Sequence, residues 1–171
     1  MKVLNIIKET VVDGVGLRTS IYLAGCRHHC KGCHNKFSWN PNPESYKDNF
    51  RTPEDFEDLI AEINDNDLID GVTLTGGDPF YNTEELYNLV KYLHDNLNHD
   101  KDIWIYTGYK FEEILNLQHG KDILKLTDVL VDGKFEECKK DPSLLFRGSS
   151  NQRLIKSKLS LELGKVRCLD L

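Results

Sequence analysis

Three closely spaced cysteines are the residues of this chain with the clearest chemical potential. Cys26, Cys30 and Cys33 lie in the stretch CRHHCKGCHN with C-x₃-C-x₂-C spacing, and the 171-residue chain has only five cysteines. The count is odd, and the opening residues contain no apolar segment typical of a signal peptide, which favours reduced thiols over a disulfide framework. We therefore expect a cysteine site that binds metal or takes part in catalysis.

Two kinds of metal site fit this spacing equally well. A zinc ion could bind the three thiolates and one histidine (His28, His29 or His34), which is a known structural combination. Alternatively, each cysteine could hold one iron of a [4Fe–4S] cluster, leaving the fourth iron open to a small molecule. For the histidines themselves, the interpretation as polar loop residues is favoured over iron ligation or proton transfer.

The composition excludes several classes of partner. Lys and Arg total 22 against 28 for Asp and Glu, and the resulting net charge of −6 disfavours binding to nucleic acid. No stretch approaches the roughly 20 apolar residues that a bilayer requires. We expect a soluble, cytoplasmic protein that forms a single domain over residues 1-171, with no direct nucleic-acid or membrane partner.

Strands and helices that alternate along the chain must position the cysteines. Period-two alternation in LRTSIYL predicts a strand that ends just before the cysteine loop, and VTLTGG, IWIYTG and DVLVDG are typical of further strands. Thr52 and Pro53 predict the start of one helix, leucines at helical spacing predict a second over residues 86–97, and FEEILNL predicts a short third. This order is typical of parallel β-α-β units.

The length of the chain limits how these units can be arranged. Each takes about 30 residues or more, and a closed (β/α)₈ barrel takes roughly 250. We predict an α/β fold that forms a partial, open (β/α) barrel with a mostly parallel sheet. Ligands are expected at the carboxyl ends of the strands. Four segments fall there: the cysteine loop, Gly76-Gly77-Asp78-Pro79, Thr107-Gly108-Tyr109 and Asp132-Gly133-Lys134.

Five segments, taken in order, resemble one known family. They are DGVGLRTSIYLAGCRHHCKGCHN, LTGGDPF, WIYTGY, VDGKFE and FRGSSNQR, and they run from about residue 10 to residue 155. The cysteine triad with the Gly-Gly-acid-Pro turn resembles the radical S-adenosylmethionine (SAM) superfamily. The whole series is similar to its branch of activases for anaerobic (class III) ribonucleotide reductase.

The resemblance implies a radical mechanism and a protein substrate. Cys26, Cys30 and Cys33 would ligate a [4Fe–4S] cluster, and SAM would bind the fourth iron. Reductive cleavage of SAM would give methionine and a 5′-deoxyadenosyl radical, which would take a hydrogen atom from a glycine in the large subunit of the reductase. The resemblance also implies a low-potential electron donor such as flavodoxin, and it assigns no catalytic residue beyond the cluster and SAM.

SAM contacts are implied at two places. Gly76, Gly77 and Asp78 would face the methionine ammonium, through either the Asp78 side chain or the backbone, because the wider superfamily more often has Glu at this position. Pro79 favours an extended conformation at Asp78.

The resemblance also bears on the adenine of SAM. Many superfamily members place an aromatic residue where this chain has Gly32. The resemblance implies that the loop residues Gly32, Cys33 and His34 bind the cofactor. Adenine contacts are expected from Phe37, from Trp39, or from the backbone at Cys33 and His34.

The sequence leaves alternative functions open, and it leaves open the roles of several residues. The chain could activate another glycyl radical enzyme such as pyruvate formate-lyase, resemble a small-molecule radical SAM enzyme of deazapurine synthesis, or be a zinc-stabilised binding module. Gly14 and Gly16 could form a turn near the site, and Arg18 could meet a carboxylate or lie exposed. The FRGSSNQR segment could close a loop or contact SAM, and we interpret Cys138 and Cys168 as isolated thiols.

Overall fold

Strands and helices alternate along most of this α/β chain. The structure is a computed structural model, and it describes residues 2–171. The strands are Val3–Thr10 (β1), Leu17–Leu23 (β2), Ile69–Gly76 (β3), Asp102–Tyr106 (β4), Val129–Asp132 (β5) and Arg153–Lys156 (β6). The α-helices are Glu57–Asp65 (α1), Thr83–Asn96 (α2), Phe111–Ile114 (α3), Gly120–Leu126 (α4) and Ser157–Leu163 (α5).

All six strands belong to one sheet whose spatial order follows the chain, β1-β2-β3-β4-β5-β6. The four central strands, β2 to β5, are parallel, whereas β1 and β6 pair antiparallel to their neighbours at the two edges. Because the central strands are parallel, their carboxyl ends lie at the same edge of the sheet. The cysteine loop and the segments that follow β3, β4 and β5 therefore lie along this edge.

One face of the sheet carries the main hydrophobic core. Side chains alternate between the faces of a strand, so Val72 and Leu74 of β3 and Ile103 and Ile105 of β4 point to the same side. They pack in one cluster with buried residues of α1, α2 and α4, including Leu89. Leu93 and Leu97 at the end of α2 and just beyond it are also buried there, as helical spacing predicts.

The opposite face combines a small apolar cluster with buried polar groups. Trp104, Val129, Val131 and Leu154 form the apolar cluster. Arg18 lies beside it on β2 with no solvent exposure, and its guanidinium carbon is 5.0 Å from the centre of the Trp104 ring. This face is thus filled by a buried cation as well as by hydrophobic side chains.

Arg18 finds acceptors in three segments. Its Nε donates to Thr73 Oγ1 at 2.8 Å, and its two Nη atoms donate to the carbonyls of Val15 (3.1 Å) and Val72 (3.0 Å). A carboxylate oxygen of Asp102 lies 2.5 Å from Nη2. Of the two alternatives for Arg18, contact with a carboxylate is the one the structure contains.

The predicted elements are present, with differences at their ends and at the chain termini. Thr52 and Asp55 form a capping box, but Pro53–Phe56 is a 3₁₀ turn and the α-helix proper begins at Glu57. The sequence analysis missed both edge strands, β1 and β6, and the helices α4 and α5. The edge strands are short or mostly exposed, so no continuous apolar run marks them.

The expected turn at Gly14 and Gly16 forms away from the cysteines. It joins β1 to β2 at the amino end of β2, whereas the cysteine loop follows the carboxyl end. A Cβ atom on Gly14 would lie 2.8 Å from the Arg18 side chain, and one on Gly16 would overlap Asp70. These glycines therefore allow the turn to pack against Arg18 and Asp70 rather than shape the cysteine site.

Two expectations about the whole chain stay predictions. The sheet is mostly parallel, and no pairing joins β1 to β6 within residues 2–171. The curvature of a partial barrel and the single-domain organisation of residues 1-171 are proposals that agree with this topology. No helix within the described residues has the length and apolar character needed to cross a bilayer.

Replacing the buried cation tests its contribution to the fold. Arg18→Ala leaves the acceptors on Thr73, Val15 and Val72 without their donor. The Asp102 carboxylate is 40% exposed and stays partly solvated, so we expect the free energy of unfolding to fall by about 2 to 4 kcal/mol, from unpaired acceptors and the cavity left by the side chain. Urea denaturation measures the change. Lys8→Ala is the control, because its ion pair with Glu62 is more than half exposed, and it should cost less than about 1 kcal/mol. Equal effects of the two substitutions would contradict the assignment.

Candidate active site

The cysteine loop folds back onto the residues that follow it. Its start is held by two backbone hydrogen bonds, from Gly25 N to Ser38 O (2.8 Å) and from Cys26 N to Trp39 O (3.2 Å). Within the loop, Cys33 N donates to Cys30 O at 3.1 Å. Cys26, Cys30 and Cys33 are all partly buried, and all three line one cavity. The loop thus presents its three thiols to a common space.

Burial and backbone donors act in opposite directions on two of the thiols. Burial raises the pKa of Cys26, while hydrogen bonds from the backbone of His28 and His29 partly oppose the rise. Burial likewise raises the pKa of Cys30, opposed by a hydrogen bond from the backbone of Phe135. Such N–H groups stabilise a thiolate once a metal has replaced the proton.

The carboxylate of Asp78 joins three separate segments at this edge of the sheet. Asp78 is 2% exposed. Its oxygens accept hydrogen bonds from Phe80 N (2.9 Å), from Thr107 Oγ1 (2.9 Å) and from Gly108 N (2.9 Å). His28 Nε2 lies 2.5 Å from the same carboxylate. The cysteine loop, the turn after β3 and the end of β4 are therefore bound to a single side chain.

This arrangement bears on how Asp78 could contact a ligand. Asp78 has the extended conformation expected before Pro79, with φ −131° and ψ 115°. Its carboxylate already accepts from four protein groups. The Gly76 carbonyl accepts from Asn35 Nδ2 (3.1 Å) and Ser38 Oγ (3.2 Å), and the Gly77 N–H donates to Leu23 O. Within residues 2–171 the Gly77 carbonyl is therefore the part of the turn that remains for a ligand. Of the two routes left open by the sequence, the geometry favours the backbone.

Gly76 and Gly77 let the turn press against the chain that leads into Cys26. A Cβ on Gly76, whose φ is +105°, would lie 2.5 Å from Leu23 N, and one on Gly77 would lie 2.4 Å from Gly25 O. Gly77 N donates to Leu23 O at 2.7 Å, and Asp78 N donates to Gly25 O at 2.8 Å. A side chain at either glycine would separate the turn from the cysteine loop.

The three histidines of the loop have different surroundings. His28 is buried, with 6% of its side chain exposed, and its ring contacts Tyr109 edge-on with centroids 4.6 Å apart. His28 therefore lies in the loop as expected, but its side chain is buried against Asp78 and Tyr109 instead of facing solvent. His29 stacks on Trp39 with centroids 4.7 Å apart, and His34 lines the cavity.

The FRGSSNQR segment closes the far side of the cavity through Gln152. Gln152 Oε1 accepts from Gly148 N (2.8 Å) and Ser149 N (3.2 Å), while its Nε2 donates to Gly133 O (2.9 Å). Asn151 adds a bond to Lys134 O at 2.8 Å. These hydrogen bonds tie the segment to the loop after β5. Closing this loop is the structural role of the segment.

Arg153 anchors the same segment at its end. Its guanidinium lies 2.5 Å from Asp132 Oδ2 and 2.9 Å from Glu112 Oε2. Hydrogen bonds to these two carboxylates raise the pKa of Arg153, and the bond to Arg153 lowers the pKa of Glu112. Asp132 is thus a structural partner at the end of β5 rather than part of the cavity wall.

The segments enclose a cavity of about 440 Å³ at the carboxyl ends of the parallel strands. All eight residues that the sequence analysis assigned to cluster or cofactor line it: Cys26, Cys30, Gly32, Cys33, His34, Gly76, Gly77 and Asp78. Trp39 also lines it, whereas Phe37 is 64% exposed and does not. The structure brings the predicted set together, and their roles stay predictions.

Sequence reasoning missed further residues of the wall. Tyr106, Phe135, Arg147 and Gln152 line the cavity. The hydroxyl of Tyr106 and the Nε of Arg147 are buried without a hydrogen-bond partner within residues 2–171. All four lie inside or beside the segments that carry the family resemblance, but the sequence does not show which of their side chains face inward.

The donor set fits a [4Fe–4S] cluster bound by three cysteines. Each iron of such a cluster takes its own thiolate, and three thiols with N–H donors beside two of them line the cavity. Within the described residues, no three His, Cys, Asp or Glu side chains, these cysteines included, converge on a point where they could hold one metal ion. Thiolates that each bind a different iron of a cluster do not need to converge in this way. Cys138 and Cys168 are exposed and do not line the cavity, so they do not supply a fourth ligand to this site.

Comparison with known proteins identifies the family. A family model described as a 4Fe-4S single cluster domain matches residues 12–155. Proteins named anaerobic ribonucleoside-triphosphate reductase-activating protein are 40% identical over 145 residues in Salmonella typhimurium and 41% over 146 residues in Enterobacteria phage T4. These alignments cover 83% and 84% of this chain and 90% and 86% of the relatives. This chain belongs to the family of anaerobic ribonucleoside-triphosphate reductase-activating proteins.

A third member extends the similarity. The protein from Haemophilus influenzae is 40% identical over 157 residues, covering 87% of this chain and 94% of the relative. The family resemblance inferred from five sequence segments is therefore confirmed. The match to the 4Fe-4S single cluster domain spans residues 12–155 and includes all three clustered cysteines of the activase.

Asp78→Asn tests the carboxylate that joins the three segments. The amide keeps the size of the side chain but places a donor where Asp78 accepts hydrogen bonds, so we expect the free energy of unfolding to fall by about 2 to 4 kcal/mol. Urea denaturation measures it. Asp95→Asn removes only an exposed ion pair with Lys91 on α2 and should cost less than about 1 kcal/mol. A midpoint for Asp78→Asn equal to that of the parent would refute the assigned role.

Gln152→Ala tests the closure of the cavity wall. Loss of the side chain frees the amides of Gly148 and Ser149, so their hydrogen exchange should accelerate about tenfold. Hydrogen–deuterium exchange resolved to this segment provides the measurement. Gln118→Ala removes an exposed glutamine elsewhere and should leave these amides unchanged. Unaltered exchange in Gln152→Ala would show that another contact holds the segment.

Proposed function

We propose that this protein activates anaerobic (class III) ribonucleotide reductase by generating a glycyl radical on the large subunit of the reductase. The observation that carries the proposal is three thiols, without a fourth cysteine, in the same cavity as the Gly76–Asp78 turn. The relatives that cover most of this chain are named as activating proteins for that reductase.

Cys26, Cys30 and Cys33 are the proposed ligands of a [4Fe–4S] cluster. Three thiolates account for three irons and leave one iron position free for a small molecule. When bound, the cluster supplies a coordination position for SAM and the electron that cleaves it into methionine and a 5′-deoxyadenosyl group able to take hydrogen from glycine. Because this cleavage is homolytic, the chain needs no acid–base pair.

The chain's own groups bind and orient SAM in this proposal. The Gly77 carbonyl would contact the methionine end, because the Asp78 carboxylate and the Gly76 carbonyl are both occupied by protein donors. The rest of SAM occupies the cavity between the cysteine loop and the FRGSSNQR segment, whose wall is held by Gln152. A wall of this kind keeps water from the reacting atoms.

The protein substrate and the electron donor complete the proposal. Hydrogen transfer needs the reacting atoms within about 3 to 3.5 Å, so the reductase must bring its glycine into the mouth of the cavity. A transient complex with the large subunit follows from this requirement. A low-potential donor such as flavodoxin is the proposed source of the electron.

One experiment tests the function directly. The protein, reconstituted anaerobically with iron and sulfide and then reduced, is mixed with SAM and the anaerobic reductase of the same organism. We expect 5′-deoxyadenosine in the products and a glycyl radical doublet in the electron paramagnetic resonance spectrum. A doublet with pyruvate formate-lyase alone would reassign the target. Colourless protein that retains zinc would support the zinc-stabilised binding module instead.

Cysteine substitutions test the ligand assignment. Alanine at Cys26, Cys30 or Cys33 should abolish both SAM cleavage and the radical signal, because each substitution removes one iron ligand. Cys138→Ala and Cys168→Ala are matched controls at exposed cysteines and should retain full iron content and activity. Turnover that survives any of the first three substitutions would exclude that residue as a ligand.

A further inference from the structure

The ring of Phe135 is exposed to the cavity between two glycines. Phe135 lines the cavity three residues after the end of β5. A Cβ on Gly32 of the cysteine loop would lie 3.2 Å from its Cε1 atom, and a Cβ on Gly148 would lie 3.0 Å from its Cδ2 atom. Because neither glycine carries a side chain, the cysteine loop and the FRGSSNQR segment both pack closely against the ring.

Gly32 is constrained to remain without a side chain. Its φ is +76°, a backbone conformation that L side chains rarely adopt. A Cβ there would also approach Glu137 Oε1 to 2.9 Å. The cysteine loop thus has no aromatic group of its own at this point, and the ring beside it belongs to the segment after β5.

The two aromatic candidates from the sequence analysis, Trp39 and Phe37, are less suited to stack on a ligand. Trp39 lines the cavity but already stacks on His29, with an interplanar angle of 25°. Phe37 is 64% exposed and lies outside the cavity wall. Within residues 2–171, no other aromatic ring stacks on Phe135.

The position of Phe135 is also tied to the cysteines. Its backbone donates a hydrogen bond to the sulfur of Cys30. On its other side, Gln152 and Asn151 hold the preceding residues, Gly133 and Lys134. The ring is therefore held at a defined distance from the proposed cluster, as a binding surface for a ligand of that cluster requires.

We propose that Phe135 is the side chain that binds the adenine of SAM, by stacking its ring on the purine. This inference rests on the proposed function. Adenine is the planar aromatic part of SAM, and stacking of a base on an aromatic side chain is favourable without any specific hydrogen bond. Phe135 thus supplies, from the far side of the cavity, the aromatic surface that Gly32 lacks.

Substitutions that separate the planar ring from its bulk test the proposal. Phe135→Leu keeps an apolar side chain but removes the ring, so we expect the dissociation constant for SAM to rise about tenfold or more. Phe135→Tyr retains the ring and should stay within about threefold of the parent. Phe37→Leu removes an exposed ring outside the cavity and should bind as the parent does.

Affinity is measured by isothermal titration calorimetry with SAM on the reconstituted, unreduced protein, so that binding is observed without turnover. Values are expressed per intact cluster, quantified by iron content and absorbance. Parent-like affinity in Phe135→Leu, or an equal loss in Phe135→Tyr, would overturn the adenine assignment and leave the proposed function standing. Absence of SAM binding by the parent protein itself would overturn the proposed function, and this inference with it.

Discussion

The buried carboxylate of Asp78 is the interaction on which the site depends. It accepts hydrogen bonds from the turn after β3 and from the end of β4, and His28 connects it to the cysteine loop. A buried charge is tolerated only when its hydrogen bonds are satisfied. The same requirement that keeps Asp78 paired therefore keeps the cysteine loop beside the Gly-Gly turn. The proposed metal ligands are thereby held beside the proposed SAM site.

Polar contacts also build the opposite wall, in place of a hydrophobic core. Gln152 joins Gly148 and Ser149 to Gly133, and Arg153 bridges Asp132 and Glu112. The main hydrophobic core lies elsewhere, between the helices and one face of the sheet. Because that core does not extend to the carboxyl ends of the strands, a cavity remains there even in a small chain.

Much of the architecture was predictable from local patterns. The four parallel strands, the helices α1 and α2 and the short helix α3 follow from hydrophobic periodicity and capping residues, because these signals act within a few residues. The edge strands β1 and β6 were missed, since their stability comes from pairing with β2 and β5 rather than from an apolar run of their own.

The sequence by itself determined the family, through five segments in order, and predicted the cysteines and the Gly76–Asp78 turn that line the cavity. Only the tertiary structure decided that the Asp78 carboxylate is committed to protein donors, that His28 is buried against it, and that the Phe135 ring lies beside Gly32. The reason is physical: residue type and spacing limit what chemistry is available. The contacts of His28 with Asp78 and of Gly32 with Phe135 join residues 50 and 103 positions apart, and they arise only when parallel strands bring their carboxyl ends together.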